Sequence, residues 1–189
     1  MPVFEPLTLS TPRLILRPLI EADVAPMFEM HSDAAYMRYY SFPAMTRLEQ
    51  AAERVARLMR ASAEGSAFLV ALTRRTDGVM FGTCTLFNAD EGCRRAEIGF
   101  GLHRAHWGQG YMAEALEALI DHAFSSLRLR RLEADIDPRN HASARTLERA
   151  GFVREGLLRE RWLVDGEVSD TALYGLLPGD RPSAARPAA

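Results

Sequence analysis

Apolar and polar positions change period several times along the chain, and each change marks an element. Leu14-Ile15-Leu16-Arg17, an apolar run between Pro12 and Pro18, predicts a short strand. A helical stretch follows around Glu21–His31. A clearer helix comes next, where Thr46 and Glu49 have capping-box spacing and Leu48, Ala51, Ala52, Val55, Leu58 and Met59 share one face. The period then drops to two. Ala67–Leu72 reads as a strand, Asp77-Gly78 as a hairpin turn and Val79–Phe87 as its partner. The loop Asn88–Gly92 leads into a third strand, Arg95–Leu102, so the middle of the chain predicts an antiparallel meander.

The strongest helical pattern runs from about Gly110 to Ser125. Its apolar stripe is Tyr111, Met112, Ala115, Leu116, Leu119, Ile120, Ala123 and Phe124. Leu129–Ile136 predicts another strand. A short helix over Asn140–Ala150 should end at Gly151 in a left-handed cap, with Phe152 packing back. Phe152–Val164, a turn at Asp165-Gly166, and Glu167–Leu176 predict a closing hairpin. The order predicts a mixed α/β domain over residues 1–177 around one central sheet. Residues 178–189, rich in Pro, Ala and Arg, read as a flexible tail.

Composition narrows the chemistry. The 189 residues fit one domain, and 48% hydrophobic with 25% charged residues is ordinary for a globular chain. A formal net charge of −2 does not suggest a nucleic-acid binder. All 23 basic residues are arginine, which removes lysine Schiff bases and phosphate-loop lysines. Two cysteines, Cys84 and Cys93, make neither a metal site nor a disulfide scaffold, and no metal is expected. A reduced cytoplasmic setting fits, with no signal peptide and no membrane span.

The chemistry centres on the link between the third meander strand and the best helix: Trp107-Gly108-Gln109-Gly110-Tyr111-Met112. A glycine-rich turn at a helix N-terminus offers open backbone N–H groups and the positive end of the helix dipole, which suits a phosphate or pyrophosphate. Gly108 and Gly110 permit close approach to the backbone. By itself this is also a plain strand-to-helix turn. The dinucleotide pattern G-x-G-x-x-G and the phosphate loop G-x-x-x-x-G-K-[ST] are both absent.

The run Ala96-Glu97-Ile98-Gly99-Phe100-Gly101-Leu102, followed by Trp107-Gly108-Gln109-Gly110-Tyr111-Met112-Ala113-Glu114-Ala115, resembles the acetyl-CoA motif of the GNAT acyltransferase superfamily. More narrowly, it is similar to the branch holding the ribosomal-protein N-terminal acetyltransferases RimJ and RimL. Thr11–Pro18, Asn140–Ser143, Ala150–Val153 and Glu155–Arg159 agree in order and spacing, so the resemblance covers about residues 8–177. It implies a GNAT-type α/β fold, with one mixed, mostly antiparallel sheet of about seven strands and helices on both faces. It implies acetyl-CoA as co-substrate and a primary amine as acceptor, either a protein N-terminus or a small molecule, in a monomer or homodimer. One departure is Ala105, where the superfamily often has Gln or Arg, so pyrophosphate binding would rest mainly on backbone N–H groups.

Acyl transfer from a thioester needs a neutral amine, donors for the oxyanion and a proton for the leaving thiolate. Strand alternation puts Glu97, Gly99 and Gly101 on one face, with room beside the carboxylate. Glu97 is therefore the leading base, weighed evenly against a carboxylate salt-bridged across the sheet; a water chain is the other route for the proton. The resemblance implies oxyanion donors near Phe100, Gly101 and Leu102, with a splayed strand admitting the pantetheine arm. It also implies Ser143 as proton donor to the thiolate and Asn140 as a contact of that arm, although both residues also suit the start of a helix. Tyr36, Arg38 and Tyr39, in the cluster Tyr36–Phe42, are acceptor-side candidates, with Arg38 suited to a substrate carboxylate. His103 and His106 read as exposed loop residues. Two alternatives remain open: a non-catalytic acyl-CoA-binding module on this fold, and a binder of another phosphate ligand such as a nucleotide.

Overall fold

The computed structural model describes residues 4–181. The first half of the chain forms β1 (Leu9–Ser10), β2 (Leu14–Arg17), α1 (Val24–Ser32), α2 (Ala34–Met37), α3 (Leu48–Ala63), β3 (Phe68–Arg74) and β4 (Met80–Asp90). The second half forms β5 (Arg95–Leu102), α4 (Tyr111–Ser125), β6 (Arg131–Ile136), α5 (His141–Arg149), β7 (Val153–Val164) and β8 (Glu167–Leu176). The strands make one sheet in the order β1-β2-β3-β4-β5-β6-β8-β7. Every neighbouring pair is antiparallel except β5 and β6.

Strand alternation divides the interior into two cores. Phe68, Val70 and Leu72 of β3 join the core under α4 and α5, together with Leu116, Leu119, Ile120 and Leu147. Leu69 and Ala71 join the opposite core under α1–α3, with Met27, Met30, Tyr36, Met37 and Val55. β3 is thus buried on both faces, and its apolar run is continuous rather than alternating. The fully buried leucines and isoleucine of α4 each contribute about 1.5–3 kcal/mol, which fixes that helix and the turn before it against the sheet.

The turns follow from backbone chemistry. Asp165 and Gly166 both have positive φ (47° and 82°), the geometry a two-residue hairpin requires. Gly151 has φ +98°, Phe152 N donates to Leu147 O at 3.0 Å, and Phe152 is buried, as the left-handed cap predicts.

Other details depart from the expectations. The sheet has eight strands, because the two-residue β1 adds an edge. The capping of α3 lies one residue later than predicted: Gln50 Oε1 accepts from Thr46 N (2.8 Å) and Arg47 N (3.0 Å), while Glu49 takes no part. At the other end of the chain, Pro178–Asp180 form a 3₁₀ turn and Arg181 pairs with Asp121. Residues 182–189 of the expected tail lie outside the described residues.

Candidate active site

β5 and β6 stay together only briefly. Their parallel ladder covers Arg95↔Arg131, Ala96↔Leu132 and Glu97↔Glu133, then stops. Beyond it β5 continues to Leu102 paired with β4 alone, and β6 continues to Ile136 paired with β8 alone. A gap therefore opens between residues 98–102 and 134–136. The strands run parallel, so their carboxyl ends lie at the same edge of the sheet. The helices that follow them, α4 and α5, bring their N-termini to the mouth of this gap.

The α4 N-terminus is open. Gly110, its capping residue, has φ +77° and provides no side-chain cap. Gly108 has φ +72°, and a β-carbon there would meet no atom within 4 Å. Among the described residues the N–H groups of Gly108, Gln109 and Gly110 have no protein acceptor. The turn is braced from behind: Trp107 Nε1 donates to Leu102 O (2.5 Å) and Gln109 Nε2 to Ala105 O (3.0 Å), while the Trp107 ring stays half exposed. Met112 turns inward against the core, its sulfur 3.7 Å from Cys84 Sγ.

A cation missed by the sequence reading stands at this turn. Arg13 donates to Gln109 O (2.9 Å), lies 4.5 Å from the Tyr111 ring and approaches Gly110 closely enough to meet a β-carbon there at 3.4 Å. Its Nε pairs with Glu114, which also accepts from Thr11 Oγ1 and Arg13 N. Partial burial would raise the Glu114 pKa; those hydrogen bonds and the guanidinium charge outweigh it and hold the carboxyl below its ordinary range. The block Thr11–Pro18 was visible in the sequence, but its role needed a contact across about a hundred residues.

At the α5 N-terminus, Asn140 Oδ1 accepts from Ser143 N at 3.1 Å and caps the helix. The hydroxyl of Ser143, half-buried, makes no hydrogen bond to the protein among the described residues. Thr146, three residues on, instead bonds back to Ala142 O at 2.9 Å.

On β5, Glu97, Gly99 and Gly101 share the face that looks toward α1–α3. Glu97 accepts from Asn88 Nδ2 (3.1 Å) and, among the described residues, pairs with no arginine. Arg95 and Arg131 bond the adjacent Glu133 instead, at 2.6 and 2.7 Å. Further along, Gly101 lies under Tyr36 and Tyr40, whose hydroxyls bond one another and both stand where a β-carbon at 101 would need space. The acceptor-side candidates divide by environment. Tyr36 is buried; Tyr39 is half-buried between the guanidinium groups of Arg38 (5.5 Å) and Arg139 (5.9 Å); Arg38 is exposed. Tyr40 belongs with Tyr36 and was not singled out from the sequence.

The histidines beside the turn are not the exposed loop residues expected. His103 Nδ1 accepts from Ala105 N (3.2 Å), and His106 packs on Phe81 with ring centroids 4.5 Å apart. Burial, then the charges of Arg74 and His103, push the His106 pKa down.

A mixed sheet that parts beside an open helix N-terminus is the frame of an acyltransferase that takes its acyl group from a coenzyme A thioester. The comparisons agree. Residues 13–153 match the model described as acetyltransferase (GNAT) domain, and the chain belongs to that family as an N-acetyltransferase. It is 35% identical over 170 residues to the uncharacterized N-acetyltransferase p20 of Bacillus licheniformis, covering 90% of this chain and 96% of that protein. It is 30% identical over 118 residues to the [ribosomal protein uS5]-alanine N-acetyltransferase of Escherichia coli, covering 62% of this chain and 61% of that one. The solved structure of Mycobacterium smegmatis RimJ in complex with CoA-disulfide superposes with a TM-score of 0.84 at 25% identity, covering 95% and 91%. Among the described residues no helix is long and apolar enough to cross a membrane.

Proposed function

We propose that this chain transfers an acetyl group from acetyl-CoA to a primary amine by direct attack within a ternary complex. The observation that carries the reading is the parting of β5 from β6 beyond Glu97 and Glu133, beside two helix N-termini. The pyrophosphate sits on the N–H groups of Gly108–Met112, with Trp107 and Arg13 framing the turn. The pantetheine arm enters the gap along Phe100–Leu102, where the backbone N–H groups that alternate away from β4 receive the developing oxyanion. Asn140 contacts the arm.

The amine lone pair attacks the thioester carbonyl carbon, the C–S bond breaks and the acetyl group leaves on nitrogen. The proton lost by the amine passes to Glu97, directly or through water. Ser143 Oγ–H donates to the departing thiolate and is reprotonated from solvent. Tyr36, Tyr39 and Arg38 line the acceptor side. The relatives that acetylate ribosomal proteins support an α-amine as acceptor, and a small-molecule amine fits the same chemistry.

The test is release of free thiol from acetyl-CoA in the presence of peptides, amino acids and polyamines. CoA binding without thiol release from any acceptor would favour the non-catalytic acyl-CoA-binding module. Gly108→Glu places a carboxylate in the pyrophosphate position and meets no neighbour, so CoA binding should be lost; the left-handed backbone there adds a strain of about 1–2 kcal/mol, which Gly108→Ala measures without the charge. Unchanged CoA affinity in Gly108→Glu rejects the assignment.

A further inference from the structure

Arg54 is a cation without an anion. It projects from α3 over the Phe42 ring, its guanidinium carbon 4.3 Å from the centroid. Its Nε is buried with no acceptor, and among the described residues its guanidinium makes no ion pair. The ionisable groups facing it are Arg57, Tyr36, Tyr40 and His31. None is a carboxylate. His31 is neutral at pH 7, since burial drives its pKa from 6.5 to about 4, and its Nδ1 donates to Met27 O at 2.9 Å.

The setting is an aromatic box. His31 stacks on Phe42 at 5.8 Å and meets Tyr36 and Tyr40 edge-on at 5.4 and 5.5 Å. Arg54 meets this box through Phe42, and at its other end the hydroxyls of Tyr36 and Tyr40 reach Gly101, on the proposed acyl-transfer strand. Arg54 is half-buried, and burying its Nε edge without an acceptor or a counter-charge costs stability. Elsewhere the chain pairs its structural arginines: Arg17 with Asp23, Arg131 with Glu133 and Glu155, and Arg139 with Asp137 and Glu167. Leaving Arg54 unpaired at the acceptor side of the site therefore points to a ligand anion.

We infer that Arg54, with the Tyr36–Tyr40 hydroxyl pair, receives a carboxylate of the acceptor, so that the preferred acceptor is a small amine carrying a carboxylate a few bonds away, as a free amino acid does. The inference rests on the acetyl-transfer reading of the gap beside Gly101. It moves the carboxylate-binding role from the exposed Arg38 to Arg54.

The experiment compares L-amino acids with their own α-amides as acceptors in the thiol-release assay, for wild type, Arg54→Gln and Arg54→Lys. Wild type should favour the acids at least tenfold in kcat/KM. Arg54→Gln should erase that ratio through KM, with CoA affinity and Tm kept, and Arg54→Lys should keep part of it. A purely structural arginine would lower Tm and leave the acid-to-amide ratio unchanged. Equal use of acids and amides, or preference for peptide N-termini, overturns the inference. A second measurement is independent of turnover: titration of the N-acetyl derivatives of the same acids and amides onto the CoA-bound protein. Binding that requires both the carboxylate and Arg54 supports the inference even if no acceptor is turned over, an outcome that would reject acetyl transfer alone. Absence of carboxylate-dependent binding rejects it.

Discussion

The hydroxyl of Tyr36 stands where a β-carbon at residue 101 would be, so Gly101 is required by its neighbour rather than by its own backbone. A methyl group there meets two phenol oxygens held by a packed aromatic cluster. Gly101→Ala should therefore destabilise the protein by about 1–3 kcal/mol, the usual cost of overpacking. Urea unfolding measures it. Adding Tyr36→Phe and Tyr40→Phe, which remove the obstructing oxygens, should recover most of the loss; no recovery would mean that the clash lies elsewhere.

Asn140 and Ser143 begin the same helix and should fail differently. Asn140→Ala removes a cap and should cost roughly 0.5–2 kcal/mol of stability. Ser143→Ala removes a hydroxyl that has no protein partner among the described residues, and should leave Tm within experimental error. Its kcat should fall by about 10²-fold or more if the hydroxyl protonates the thiolate. A Ser143→Ala variant with unchanged turnover would remove that residue from the mechanism.

Glu97 can be tested with little structural disturbance, because among the described residues Asn88 Nδ2 is its one side-chain hydrogen-bond partner. Glu97→Gln should keep CoA affinity and Tm while reducing kcat by about 10²-fold or more. A loss under twofold would show that the amine proton leaves by water alone.

His31 makes stability pH-dependent. Its folded pKa of about 4 lies below the ordinary 6.5, chiefly through burial, so the unfolded chain binds the extra proton first. The contribution is complete above pH 6.5 and is lost as pH falls from there toward 4, by at most about 1.4 kcal/mol per pH unit. Burial lowers the pKa of His122 and His106 as well, which adds in the same direction. Unfolding free energies at pH 7, 6 and 5 for wild type and His31→Phe should show a shallower slope in the variant.

What could be read from the sequence was local. Asp165-Gly166 and Gly151 fix their own φ angles, and the α4 stripe needs only its period, so these elements are found where expected. The Gly108–Gly110 turn was legible for the same reason. The two-residue β1 and the single turn α2 are held by tertiary contacts and have no period to detect. The α3 cap moved from Glu49 to Gln50 because the helix starts at Leu48, and propensity does not set that register. Arg13 against Gly110, Tyr40 beside Tyr36, and Arg54 over Phe42 depend on packing between separate elements. The parting of β5 from β6 is a property of two strands about thirty residues apart. The resemblance anticipated it, and residue spacing alone did not.

The three-rung seam between β5 and β6 has a mechanical consequence. Among the described residues it is the one place where the sheet is joined by so few pairs in mid-span, with β1–β5 on one side and β6–β8 on the other. Whatever fills the gap acts as a zip between the two sides. Ligand occupancy and sheet rigidity are then one equilibrium, and stability gained on binding should rise with ligand concentration. Hydrogen exchange should slow most at residues 98–102 and 134–136, far more than at the hairpin tip around Asp165.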